Sequence, residues 1–159
     1  MSVYREPSSL YTTIMIIPPM SAIGISDVPQ DDAVCLKEIG IRRCRGCVKC
    51  LTEHPMACDI TDGFSDIIKT ALDSDELVIS IHPQNGRVPA DIRKAVERLS
   101  NILEVFTDSG GNVPMSCDKV KLRHIIVIIH GELSDEGAES EIRDLLKKGP
   151  VESVSFRRV

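Results

Sequence analysis

The feature that most limits what this chain can fold into is an unbroken run of β-branched residues at 125–129, Ile-Ile-Val-Ile-Ile. A strand with one solvated face alternates apolar and polar side chains. A continuous apolar run instead asks for cover on both faces, which is the habit of strands inside a parallel sheet. Runs of the same kind read as strands at 14–17 and 77–81, with a weaker strand at 33–39 and a half-polar one at 151–156. Three helical patterns lie between them. Phe64, Ile67, Ile68, Ala71 and Leu72 recur at helical spacing, with Thr61 or Asp62 available as N-cap. Ile92, Ala95, Val96, Leu99 and Leu103 share one face of a helix over 90–103. Ala138, Ile142, Leu145 and Leu146 do the same over 136–148, where Glu139 and Arg143 can pair across a turn and Gly149-Pro150 supplies the stop. Residues 18–32 read as an irregular crossover, and 42–59, 82–89 and 104–121 as loops. The order β-β-α-β-α-β-α-β predicts an α/β fold built on a parallel sheet. A complete five-stranded doubly wound domain has two further helices, one after the first strand and one after the fifth.

The length of 159 residues suits a single domain spanning 1–159, with a cysteine-rich loop at 42–59. A formal charge of −5 and an aromatic content of 3% leave little with which to bind phosphates or stack bases, so nucleic acid is excluded as a partner. The basic residues are dense only at Arg42, Arg43 and Arg45 and at Arg157 and Arg158. The apolar run 14–17 is closed by Pro18 and Pro19, far short of the ~20 residues of a membrane span. Arg5, Glu6 and Pro7 precede any apolar run, unlike a secretory signal, and the expected location is the cytoplasm. In a reducing compartment clustered cysteines point to metal or redox chemistry rather than to disulfides.

Cys44, Cys47 and Cys50 fall within seven residues, and seven more separate Cys50 from Cys58. Spacings of two residues let successive thiolates converge from one loop, and Gly46 eases the turn. Three such cysteines suit the corners of a 4Fe-4S cubane, with the fourth ligand from beyond the loop. Zinc is the competing reading, although its structural sites more often use two separated Cys-x-x-Cys arms. His54 lies between the last two cysteines and could substitute as a ligand, whereas Cys35 and Cys117 read as ordinary thiols.

With this motif the sequence resembles the NADPH-dependent FMN reductase superfamily, and within it the iron–sulfur flavoproteins. The resemblance runs from about Arg43 to Leu103 and takes in the four cysteines, Asp62, the strand ending at Ile81, and the stretch from Pro83 through Val88, Pro89 and Ala90 into a helix. It implies a flavodoxin-like sheet of order 2-1-3-4-5 and a redox or electron-transfer function, as in an FMN-dependent oxidoreductase. It also implies a cluster on Cys44, Cys47, Cys50 and Cys58, and a flavin over His82, Pro83, Gln84, Asn85 and Gly86. The family's phosphate loop is replaced by Pro18-Pro19-Met20-Ser21, and Asp27, Asp31 and Asp32 would repel a phosphate. The rival reading is a metal-stabilised binding or assembly module that has lost FMN.

In that strand order the helices after strands two, three and four lie on one face. The two missing helices would have covered the other, which leaves aliphatic side chains open. The expectation is a homodimer packed sheet against sheet, with the chain's own loops at 18–32 and 104–121 as the other cover for that face, alongside a redox partner protein.

Overall fold

The computed structural model describes residues 21–53, 58–107, 116, 118 and 120–159. Five parallel strands form one sheet: β1 (Ala22–Ser26), β2 (Val34–Cys35), β3 (Glu76–Ile81), β4 (His124–Ile129) and β5 (Ser153–Arg158), in the order β2-β1-β3-β4-β5. The helices are α1 (Leu36–Ile39), α2 (Lys49–Thr52), α3 (Phe64–Leu72), α4 (Ala90–Leu103) and α5 (Ala138–Leu146). This is the flavodoxin-like α/β arrangement that the strand and helix order predicts. The connection from β1 to β2 carries no helix.

The first strand departs from expectation. Residues 14–17 lie outside the described part of the chain, and β1 falls inside the stretch read as an irregular crossover. Its sequence, Ala-Ile-Gly-Ile-Ser, carries a glycine that weakens any strand signal. The same glycine is what the sheet needs there. A Cβ on Gly24 would stand 2.5 Å from the Asp32 carbonyl oxygen, where the incoming chain crosses close to β1. β2 is also shorter than expected, because the chain turns helical at Leu36.

Right-handed crossovers put α3, α4 and α5 on one face of the sheet, and the burial pattern agrees. Ile25, Leu77, Ile79, Ile81, Ile125, Val127 and Ile129 are fully buried, together with Phe64, Ile92 and Leu103. Between α4 and β4 the 3₁₀ turn Glu104–Phe106 adds buried Val105 and Phe106, inside the stretch 104–121 expected to be loop. On the opposite face the register aligns Gly24, Val78, Ile126 and Ser155 in one row, and Ser26, Ser80, Ile128 and Arg157 in the next. Val78, Ile126 and Ile128 are half-buried. The pairing expected within α5 is not formed. Glu139 binds Arg158 of β5 at 2.5 Å, and Arg143 lies over the Phe156 ring at 4.9 Å.

This framework places two features. The chain after α1 runs out as the cysteine loop beside α4, and the carboxyl ends of β1, β3 and β4 bring Asp27, His82 and His130 to one edge of the sheet.

Candidate functional site

The cysteine loop is tied down where it begins. Gly40 ends α1 in the left-handed conformation, Ile41 is buried, and the Arg42 N–H donates to Asp62 Oδ2 at 2.8 Å. Asp62 Oδ1 accepts from the Phe64 N–H at 3.1 Å, so the residue read as an N-cap does hold the start of α3, from one position before Gly63. Its second oxygen also meets Arg98 of α4, at 2.6 Å, in an ion pair only 2% exposed on either side. Arg98 further reaches the Arg42 carbonyl and lies over the Phe64 ring. Burial works to raise the Asp62 carboxyl, but the Arg42 N–H, the Arg98 guanidinium and the Phe64 N–H outweigh it and hold the group below the usual carboxylate range.

Beyond this clamp the chain doubles back through two left-handed residues, Gly46 and Val48, before the single turn of α2. Leu51 and Thr52 donate their N–H groups to the Val48 carbonyl. On the far side of the loop, the Cys58 carbonyl accepts from the Ser65 hydroxyl, and Lys49 pairs with Asp59 at 3.1 Å. The result is a cavity of about 170 Å³ lined by all four motif cysteines together with Ile60 and Asn101. Cys44, Cys50 and Cys58 are half-buried and Cys47 is exposed, and none is in a disulfide. Cys44 Sγ accepts two hydrogen bonds, from the Gly46 N–H and from Asn101 Nδ2, each at 3.3 Å. The Cys50 thiol is pushed up by burial and then by the neighbouring charges of Cys44, Cys58 and Cys47. Among the described residues, no group of three or more His, Cys, Asp or Glu side chains is gathered tightly enough to hold a metal ion.

Asn101 and Arg98 are the two members that the sequence reading did not contain. Both project from α4, one turn apart, and sequence alone gives no sign that this helix face meets the cysteine loop. Cys35 is buried in β2, away from the cavity lining, and its thiol faces the Asp27 carbonyl at 3.9 Å. His54 and Cys117 lie outside the described residues.

The second site expected from sequence is the loop after β3. Gln84 and Arg87 exchange backbone hydrogen bonds of 2.9 and 3.0 Å around Asn85 and Gly86, both at positive φ. That is the tight primed turn an Asn-Gly pair favours. Gly86 is also pressed against Ser134 so closely that no side chain would fit. Gln84 and Asn85 line an open cavity of about 560 Å³ with Arg87 and Arg93. His82 is engaged elsewhere. Its N–H and Nδ1 meet Asp27 Oδ1 at 2.9 and 3.1 Å, and its ring stacks on His130 at 4.2 Å. Asp27 is 6% exposed, and among the described residues neither its Oδ2 nor His130 Nε2 has a hydrogen-bond partner. The Ser26 hydroxyl is taken up by Gln30 and the Val28 N–H.

No family model matches the sequence, and no curated protein matches it. Among the described residues, no helix is long and apolar enough to cross a membrane.

Proposed function

We propose that this chain is a small electron-transfer protein of the reducing cytoplasm, whose working group is an iron–sulfur cluster held by Cys44, Cys47, Cys50 and Cys58. The observation that carries this reading is that one cavity is lined by all four motif cysteines. Its volume, about 170 Å³, is several times the ~30 Å³ that a water occupies in the liquid. A space of that size has room for a group of several atoms, whereas a single zinc ion needs only its thiolates at ~2.3 Å. The donors on Cys44 add to the fit, because N–H groups directed at a ligating sulfur stabilise its negative charge and tune a cluster's potential. The cluster, when bound, supplies one-electron chemistry. The chain supplies the thiolates, the Asn101 and Gly46 donors, and the clamp at Asp62 that fixes where the loop begins.

The flavin implied by the resemblance does not fit the residues present. With β1 at Ala22–Ser26, the position a phosphate cradle would take is the stretch after Ser26 and not 18–21 as expected, of which 18–20 lie outside the described residues. That stretch has the buried, half-satisfied carboxylate of Asp27 and no helix N-terminus. His82, which would lie under the flavin, is held by that same carboxylate. The chain is therefore assigned the cluster and not the flavin, so its electrons pass to and from another protein.

The misfit also favours one other reading, a non-catalytic assembly module whose cysteines bind a structural zinc. Iron and acid-labile sulfide analysis of anaerobically purified protein separates the two. Both elements should be present and both lost in Cys47→Ser. Zinc at one equivalent with no iron would replace the cluster reading with the module.

A further inference from the structure

Only three large hydrophobic side chains among the described residues are exposed, and two of them, Val48 at 55% and Leu51 at 40%, sit between and beside the motif cysteines. Both line the cysteine cavity. Around them the loop is basic in an otherwise acidic chain: residues 42–53 contain Arg42, Arg43, Arg45 and Lys49 against Glu53 alone, whereas the whole chain carries −5. Arg42, Arg43 and Arg45 are exposed, and no hydrogen bond or ion pair among the described residues holds their guanidiniums. Lys49 is the exception, being paired with Asp59.

An exposed apolar tip within a collar of unpaired cations is the arrangement of a transient protein interface. The collar steers and orients the partner, and the tip excludes water at the point of closest approach. We propose that the Val48–Leu51 tip of the cysteine loop is the docking surface for an acidic electron-carrier protein. The inference rests on the cluster reading for its purpose, because both tip residues line the cavity where electrons would enter or leave. It makes a prediction opposite to the one from net charge. A chain of −5 taken as a whole would attract basic partners, but this loop selects acidic ones.

The test uses two probes of similar size and opposite charge, a fluorescently labelled acidic plant-type ferredoxin and a basic cytochrome c, with binding followed by anisotropy. The protein should bind the ferredoxin more tightly than the cytochrome at 20 mM NaCl. Affinity should fall about tenfold by 300 mM as the charges are screened. Arg45→Glu should weaken ferredoxin binding several-fold. Val48→Asn with Leu51→Ser should weaken it at both salt concentrations, since those changes remove apolar contact and no charge. Tighter binding of cytochrome c would overturn the proposal, as would ferredoxin binding indifferent to salt or to the Val48 and Leu51 changes. Iron and sulfide measured on the same samples judge the cluster separately. Protein holding only zinc that still prefers the acidic probe would keep the surface and lose the cluster.

Discussion

Replacing Arg98 by Met should destabilise the fold far more than any surface substitution. The guanidinium is 2% exposed and makes a 2.6 Å bond to Asp62, a 3.4 Å bond to the Arg42 carbonyl, and a stack on Phe64. Methionine fills much of the same volume but removes the charge, leaving the Asp62 carboxylate buried with two backbone N–H partners, from Arg42 and Phe64. Removing one member of a buried pair typically costs ~3–5 kcal/mol, most of it the penalty of the orphaned charge. That is a large share of the ~5–15 kcal/mol by which a domain of ordinary size is stable. Urea unfolding followed by far-ultraviolet circular dichroism, with metal chelated and thiols reduced, measures the difference. The double variant Asp62→Asn/Arg98→Met, which leaves no buried charge, should recover most of the loss. The pH dependence gives a second check. Because the folded Asp62 carboxyl is depressed, its contribution is complete above the unfolded value near ~3.9 and is lost as pH falls through the lower folded value. In Arg98→Met burial is no longer outweighed by the guanidinium, so its carboxyl takes up a proton at higher pH than in wild type, and the gap between the two should narrow as pH falls from that point to the depressed wild-type value. A loss under ~1 kcal/mol, or a double variant no more stable than the single, would refute the account of the clamp.

Three further outcomes follow from the same geometry. Val48 is a β-branched residue at φ 51, so Val48→Asn should raise stability by about 1 kcal/mol in the same unfolding assay. Titrations with FMN and riboflavin should show weak binding of both and little difference between them, because Asp27 stands where a phosphate would need donors. Static light scattering across a dilution series should show a dimer, since Val78, Ile126 and Ile128 form an aliphatic strip on the face opposite α3, α4 and α5. A monomer down to micromolar concentration would remove the dimer from the account.

Much of the framework was legible in the sequence because it rests on periodicity. The α4 helix was read to its terminal residues from Ile92, Ala95, Val96, Leu99 and Leu103, and β3 and β4 to within a residue from their aliphatic runs. β1 was not, because its defining residue is a glycine whose role is a close backbone approach from Asp32, and such an approach leaves no pattern in the chain. Within the candidate site the cysteines announced themselves by spacing. Asn101 and Arg98 did not, since each is one polar residue on a helix whose apolar face carries the signal. His82 was seen as a loop histidine, but its engagement with Asp27 and His130 depends on three strands ending side by side. That is information held in topology rather than in local sequence.

The central claim is that Cys44, Cys47, Cys50 and Cys58 together hold one iron–sulfur cluster. Low-temperature electron paramagnetic resonance of anaerobically prepared, dithionite-reduced protein tests it most directly. The account predicts a spin-½ signal integrating to about one per chain, with iron and sulfide in matching amounts. It should be abolished or altered in each of the four Cys→Ser variants and unchanged in Cys35→Ser. An absence of any such signal in protein that carries one zinc and no sulfide would contradict it.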